Sequence, residues 1–253
     1  MGRRLGQHFL RPASVERLLK VIAPRPEESF LEIGPGAGAL TVPLCARAAR
    51  VTAVEVDARL AEALQRRGIP NLTVVHADAL EADLAALATP GTRVVGNLPY
   101  YISSPLLRRF LDLRGGVPDA HVMLQEEVAH RVASPPGSKE YGILSVLFAL
   151  WAEVTVVLRF PPGAFQPPPK VRSAVLRIRF RDLPAVALRD PAAFEALVLK
   201  AFTRRRRTLE NNLQDSYPNL KDHLRLLNIE GSRRAETLSV VEFGRLANAL
   251  LDG

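Results

Sequence analysis

Ser29-Phe30-Leu31-Glu32-Ile33 has the apolar character of a short buried strand, and it runs directly into Gly34-Pro35-Gly36-Ala37-Gly38. Helical spacing resumes over Ala39 to Ala48. Strand, glycine turn and helix in that order open a βαβ unit, because glycine lets the chain reverse tightly and bring its backbone close to a ligand. The same alternation continues outward. Val51–Val56 reads as a strand, Ala58–Arg67 as a helix, and Leu72–His76 and Arg93–Val95 as further strands. Pro105–Leu113 is helical, His121–Leu124 a strand, Glu126–Val132 a helix, and Gly142–Trp151 a buried helix. Val154–Phe160 and Ala174–Phe180 close the series as a strand pair, and Ala13–Ile22 precedes it as a helix. Strands alternating with helices predict an α/β fold, a mostly parallel sheet covered on both faces.

The pattern changes after Phe180. Residues 182–189 read as a linker, and Asp190-Pro191 then supplies an N-cap oxygen and a proline at the first helical position. From there the periodicity is helical only, and Ser239 to Glu242 has capping-box spacing before a last amphipathic helix. The expected organisation is an α/β domain over 1–181 and a small all-helical domain over 182–253.

The chain of 253 residues carries a formal net charge of +8. Of this, +7 falls in 1–181 and +1 in the tail, and Arg159 to Arg181 holds six basic residues and no acid. Such a field favours a polyanion as partner. No apolar run is long enough to cross a bilayer, the N-terminus lacks the apolar core of a secretory signal, and the single cysteine, Cys45, allows no internal disulfide. A cytoplasmic location is the expectation. Glu127 and His130 lie one turn apart without a matching second pair, and the five histidines and one cysteine form no zinc spacing, so no metal is expected.

Two acids sharpen the reading of the glycine turn. Glu55 ends the second strand about 20 residues after the turn, where a carboxylate accepts from ribose hydroxyls. Asp78 follows the third strand, within reach of an adenine amine. Ligands of open sheets bind at such strand ends. The glycine spacing, G-x-G-x-G after Glu32, departs from the dinucleotide pattern G-x-G-x-x-G and favours S-adenosylmethionine over NAD without excluding the latter.

Gly96-Asn97-Leu98-Pro99-Tyr100-Tyr101 ends the fourth strand. The exocyclic amine of adenine is a poor nucleophile, because its lone pair is conjugated into the ring. Two acceptors that hold its two hydrogens would pyramidalise the nitrogen: the amide oxygen of Asn97 and the carbonyl of Leu98 or Pro99. Pro99 stiffens the turn, and Tyr100 can stack on the base. Phe165, in the stiff loop Phe165-Gln-Pro-Pro-Pro-Lys-Val-Arg-Ser173, is a candidate for the second face of the stack, with Lys170 and Arg172 placed for phosphates.

On these residues the chain resembles the bacterial small-subunit (16S) rRNA adenine N6,N6-dimethyltransferase family, KsgA. The matching motifs run nearly from end to end: Gly6-Gln7-His8-Phe9-Leu10, Glu32 to Gly36, Val54 to Asp57, Asp78-Ala79, Gly96 to Tyr100, Met123 to Val128, Ser138 to Gly142, Phe165 to Val171 and Ala201-Phe202. The resemblance implies a class I, Rossmann-like methyltransferase fold with a helical C-terminal domain. It implies S-adenosylmethionine as methyl donor and dimethylation of two adjacent adenosines in the 3′-terminal hairpin of small-subunit rRNA, coupled to subunit maturation, by a monomer. Gln7, His8, Gly34, Gly36, Glu55, Asp78, Ala79 and Asn97 would meet the cofactor or its edge, and Asn97, Leu98, Pro99, Tyr100 and Phe165 would hold the adenine. His8 departs from the asparagine usual in the family, and the position of Tyr101 varies there. Arg204, Arg205, Arg206 and Arg207 suit RNA phosphates. The alternatives are a large-subunit rRNA adenine methyltransferase of the macrolide-resistance type and a non-catalytic ribosome assembly factor.

Overall fold

The computed structural model describes residues 8–251. Its strands are β1 (Phe9–Leu10), β2 (Ser29–Ile33), β3 (Arg50–Glu55), β4 (Leu72–His76), β5 (Arg93–Asn97), β6 (Asp119–Gln125), β7 (Ala152–Phe160), β8 (Phe165–Gln166) and β9 (Ser173–Phe180). Its helices are α1 (Pro12–Ile22), α2 (Thr41–Cys45), α3 (Ala58–Gln65), α4 (Leu84–Leu87), α5 (Ser103–Phe110), α6 (Glu126–Ala133), α7 (Ile143–Trp151), α8 (Pro191–Ala201), α9 (Leu209–Leu213), α10 (Leu220–Leu226) and α11 (Val240–Ala249). None of the described helices is long and apolar enough to cross a membrane.

Seven strands form one sheet in the order β4-β3-β2-β5-β6-β9-β7. The first five of that order pair in parallel, and β9 joins β6 antiparallel. The central strands are buried on both faces, as parallel strands under crossover helices must be: Phe30, Leu31, Val94 and Val95 are each at most 1% exposed. Chain order reverses between β2 and β5, which makes their C-terminal ends the topological switch point of the sheet. Gly96 is what lets these two strands close up there, since a Cβ on it would lie 2.7 Å from the Ile33 carbonyl oxygen.

Two elements differ from the sequence expectation. The helix expected over 39–48 shortens to α2, because Pro43 has no N–H to donate to the carbonyl of residue 39. The pair β1–β8, with Phe9 opposite Gln166 and Leu10 opposite Phe165, was not foreseen, since two-residue strands carry no periodicity.

The described residues divide into two compact units, one of residues 8–129 and 154–180, the other of 130–153 and 181–251. The second unit therefore takes in α7 as well as the tail, whereas the sequence reading drew one boundary at 181/182. The physical reason is the apolar run of α7, with Val146, Leu147, Phe148 and Leu150 all buried, which packs with α8 and α11. Residues 182–189 are not a free linker within this unit. Asn248 of α11 donates to the Ala187 carbonyl at 2.8 Å and accepts from Arg189 N at 2.9 Å, and Val186 lies where a Cβ on Gly244 would be 2.3 Å away. The expected caps are present: Asp190 accepts from Ala192 N and Ala193 N, and Ser239 with Glu242 closes a capping box.

Candidate active site

A concave pocket sits at the switch point, within the first unit. Its lining includes His8, Glu32, Gly34, Gly36, Glu55, Asp78, Ala79 and the run Asn97 to Ile102. The sequence had assigned most of these on separate grounds, and the sheet brings them together. Gln7 lies outside the described residues.

The glycine turn is held from below. Gly34 (φ +69°) and Gly36 (φ +55°) take left-handed conformations, and Gly34 N donates to the Val54 carbonyl at 2.9 Å. Phe9 closes on Gly36 so tightly that a Cβ there would lie 2.8 Å from its ring. Glu55 is buried, and its carboxylate binds the turn to β3: one oxygen accepts from Gly36 N and the other from Asp57 N, both at 2.9 Å. Each oxygen keeps a further lone pair for a hydroxyl. Asp78 spends one oxygen on Leu80 N at 2.8 Å.

Glu32 is the unusual group. It is 2% exposed, and its Oε2 has no hydrogen-bond partner among the described residues. Burial pushes its carboxyl up to about 7; the Thr41 hydroxyl pulls the other way, and the Glu55 carboxylate adds to the rise. Glu32 lines the pocket, and a buried carboxyl with an unpartnered oxygen is costly to keep charged. Burial also pushes the neighbouring Cys45 thiol up to about 11, with Glu32 adding to it, so this cysteine is an inert packing residue.

On the opposite wall, Leu98 N donates to the Met123 carbonyl at 2.9 Å and fixes the turn after β5. Asn97 Nδ2 donates to the His8 carbonyl at 2.9 Å, which leaves the amide oxygen open. The sequence left Leu98 and Pro99 as alternative carbonyl acceptors. The Pro99 carbonyl already accepts from Ile102 N and from Ser103 Oγ, each at 3.1 Å, so its lone pairs are in use. The Leu98 carbonyl has no partner among the described residues. Tyr100 is half-buried, and its hydroxyl meets the fully buried Ser173 Oγ at 2.6 Å. Burial raises its phenol above the ordinary value, against the Ser173 hydrogen bond.

Phe165 requires a correction. Its ring is 1% exposed, lies outside the pocket lining and packs edge-on against Phe160 at 6.4 Å, in the core cluster with Leu10 and Val175. Pairing of β8 with β1 turns this ring inward, where burial of an aromatic is worth more than a wet edge. The ring that faces Tyr100 is His8, stacked at 5.9 Å with an interplanar angle of 29°, its Nδ1 2.8 Å from the Pro167 carbonyl oxygen. The chain's departure at His8 therefore stands against the acceptor wall.

The basic residues divide as well. Lys170 is exposed. Arg172 is exposed and paired with Glu126 at 2.9 Å, and Arg159 meets the other oxygen of that carboxylate at 2.9 Å. In the second unit Arg204, Arg206 and Arg207 are exposed. Arg205 is a clamp: it meets Glu236 at 3.0 Å and donates to the Lys139 and Tyr141 carbonyls, so its part in the expected phosphate patch gives way to tying Ser138–Gly142 down. Sequence reasoning missed the Ser173 tether and the Glu126 clamp, for which no local signal exists. It passed over Glu32, whose charge inside an apolar strand was a readable signal.

The sheet order, with an acid at the end of β3 and an open acceptor pair at the end of β5, defines a Rossmann-like methyltransferase. The chain belongs to the ribosomal RNA adenine dimethylase family, whose model matches residues 2–252. It is 45% identical over 250 residues to a ribosomal RNA small subunit methyltransferase A of Xylella fastidiosa, covering 96% of this chain and 94% of that one. The relative of the same name from Leptothrix cholodnii is 44% identical over 253 residues, covering 98% and 91%. Among solved structures, a dimethyladenosine transferase from Plasmodium falciparum superposes with a TM-score of 0.80 at 25% identity, covering 94% of this chain and 96% of that chain. The 23S rRNA methyltransferase ErmE superposes with a TM-score of 0.69 at 30% identity, covering 97% and 100%.

Proposed function

We propose that this chain transfers methyl groups from S-adenosylmethionine to the N6 amines of two adjacent adenosines in the 3′-terminal hairpin of small-subunit rRNA. The observation that carries the chemistry is the pair of open acceptors on consecutive residues, Asn97 Oδ1 and the Leu98 carbonyl. Two acceptors match the two hydrogens of an exocyclic amine, and holding both turns the nitrogen lone pair out of conjugation. Tyr100 supports the base from one face. The amine would need no strong general base from this chain, since the proton it sheds on methylation can leave to water. Positioning and fixed dipoles carry the rate.

The residues present fit the donor. The orphaned Glu32 carboxyl suits its ammonium group, the Glu55 lone pairs its ribose hydroxyls and Asp78 its adenine amine. When bound, S-adenosylmethionine supplies a methyl group on a sulfonium centre. Gly34 and Gly36 supply the left-handed turn that brings the backbone to its edge.

Small-subunit rRNA is favoured over large-subunit rRNA by the relatives at 44–45% identity, against 30% for ErmE. The test is methyl transfer from labelled S-adenosylmethionine to small subunits that lack the modification, with the modified nucleosides mapped by mass spectrometry. Dimethyladenosine in the 3′-terminal hairpin is the expected product. Transfer to large-subunit RNA alone would replace this reading with the resistance-type one, and donor binding without transfer to either would favour an assembly factor.

A further inference from the structure

Tyr100 and Tyr101 are neighbours on one 3-10 turn, Tyr100–Ile102, and both line the pocket. They are built differently. Tyr100 is tied by its hydroxyl to Ser173 and faces His8. Tyr101 is 62% exposed and makes no hydrogen bond or ring contact among the described residues. Its ring contributes nothing to the core, and single exposed aromatics elsewhere on a surface need no explanation. This one lines the pocket, on the turn that follows the acceptor groups.

A base that enters such a pocket must first leave its stack, and that strips its neighbour of a stacking partner. An unanchored aromatic ring at the rim can take the partner's place, since every base offers a π-face. We propose that Tyr101 is the stacking platform for the unpaired nucleobase next to the target adenosine, a subsite distinct from the acceptor pocket. The division of labour is physical. The tethered ring fixes the reacting base, and the free ring adapts to whichever neighbour it meets. The inference rests on the adenine-methylation reading.

Two measurements test it, with wild type, Tyr101→Ala and Tyr101→Trp. In methyl transfer to unmodified small subunits, Tyr101→Ala should raise KM about 10-fold, the order of one lost base–aromatic stack, with kcat nearly unchanged, and Tyr101→Trp should restore KM. In fluorescence-anisotropy binding to an RNA hairpin with two adjacent loop adenosines, replacing the flanking nucleotide by an abasic site should weaken wild type by about the same factor and leave Tyr101→Ala unaffected. A structural role for Tyr101 would not produce that dependence on the flanking base. An unchanged KM in Tyr101→Ala, or an equal abasic penalty in both proteins, overturns the subsite. Absence of any methyl transfer by wild type to the subunits overturns the underlying reading instead.

Discussion

Glu32 and Arg93 are buried charged residues on adjacent strands, at opposite ends of the sheet, and the fold treats them in opposite ways. At the N-terminal end of β5, every arm of Arg93 is matched: Nε to Asp119 at 2.9 Å, one terminal nitrogen to Glu28 at 2.9 Å and the other to the Ile22 carbonyl at 2.8 Å. Burial alone would lower its pKa; Asp119 and Glu28 more than reverse that. At the C-terminal end of β2, Glu32 keeps an oxygen without a partner and its pKa rises. At Arg93 the scaffold satisfies the buried charge internally. At Glu32 the pocket wall leaves one oxygen unpartnered, which costs stability.

The comparison is broken most severely at Arg93. Arg93→Ala strands two partly buried carboxylates and should cost about 3–5 kcal/mol in denaturant unfolding. A loss below about 1 kcal/mol would mean that the closed end is no more than a surface network. Asn97→Ala makes the converse case. It should lower kcat for methyl transfer about 10²–10³-fold while changing unfolding by far less, and near-normal turnover would dismiss the acceptor pair.

Glu32→Gln sharpens the contrast through pH. Because the folded pKa, about 7, lies above the unfolded value, the ligand-free protein is most stable relative to its unfolded state where Glu32 is protonated in both. That advantage fades as pH rises from about 4.5 to about 7 and is gone above it, a span worth at most about 3 kcal/mol. The glutamine variant should flatten this decline in pH-dependent melting; an unaltered slope would assign it to other groups. The smallest effect is expected at the Tyr100 tether. Ser173→Ala and Tyr100→Phe each delete one hydrogen bond and should each slow transfer about 5- to 10-fold, with the double variant no worse than either. Additive losses would show that the two hydroxyls act separately.

What the sequence made legible follows from how local each signal is. The parallel strands and the glycine turn were readable, because burial on both faces writes continuous apolar runs and the turn demands glycine. Asp190 and Ser239 announced their helices by cap chemistry confined to a few residues. That Glu55, Asp78 and Asn97 meet at one pocket was readable, because each stands at or just beyond the C-terminal end of a parallel strand. The rest depends on partners far along the chain. Phe165 looked like a pocket aromatic until β1 paired with its strand and turned it inward; His8 took the facing position for the same reason. That α7 would leave the first unit for the second could not be read from its own apolar run, which is equally consistent with either core.

The β1–β8 pair has a consequence for the order in which the protein becomes competent. Phe9 waits for Gln166, and Arg11 N for the Ala164 carbonyl at 2.9 Å, so the wall that carries His8 joins residues separated by more than half the chain. Contacts of such separation pay their loop-closure entropy late in folding. During synthesis the parallel strands up to β6 emerge long before this strap can form, and α8 to α11 emerge after it. The glycine turn and the acceptor residues after β5 therefore emerge first, and the segment that carries His8 is fixed later. The segment that carries His8 is strapped down only once β8 has left the ribosome, the particle whose RNA the protein goes on to methylate.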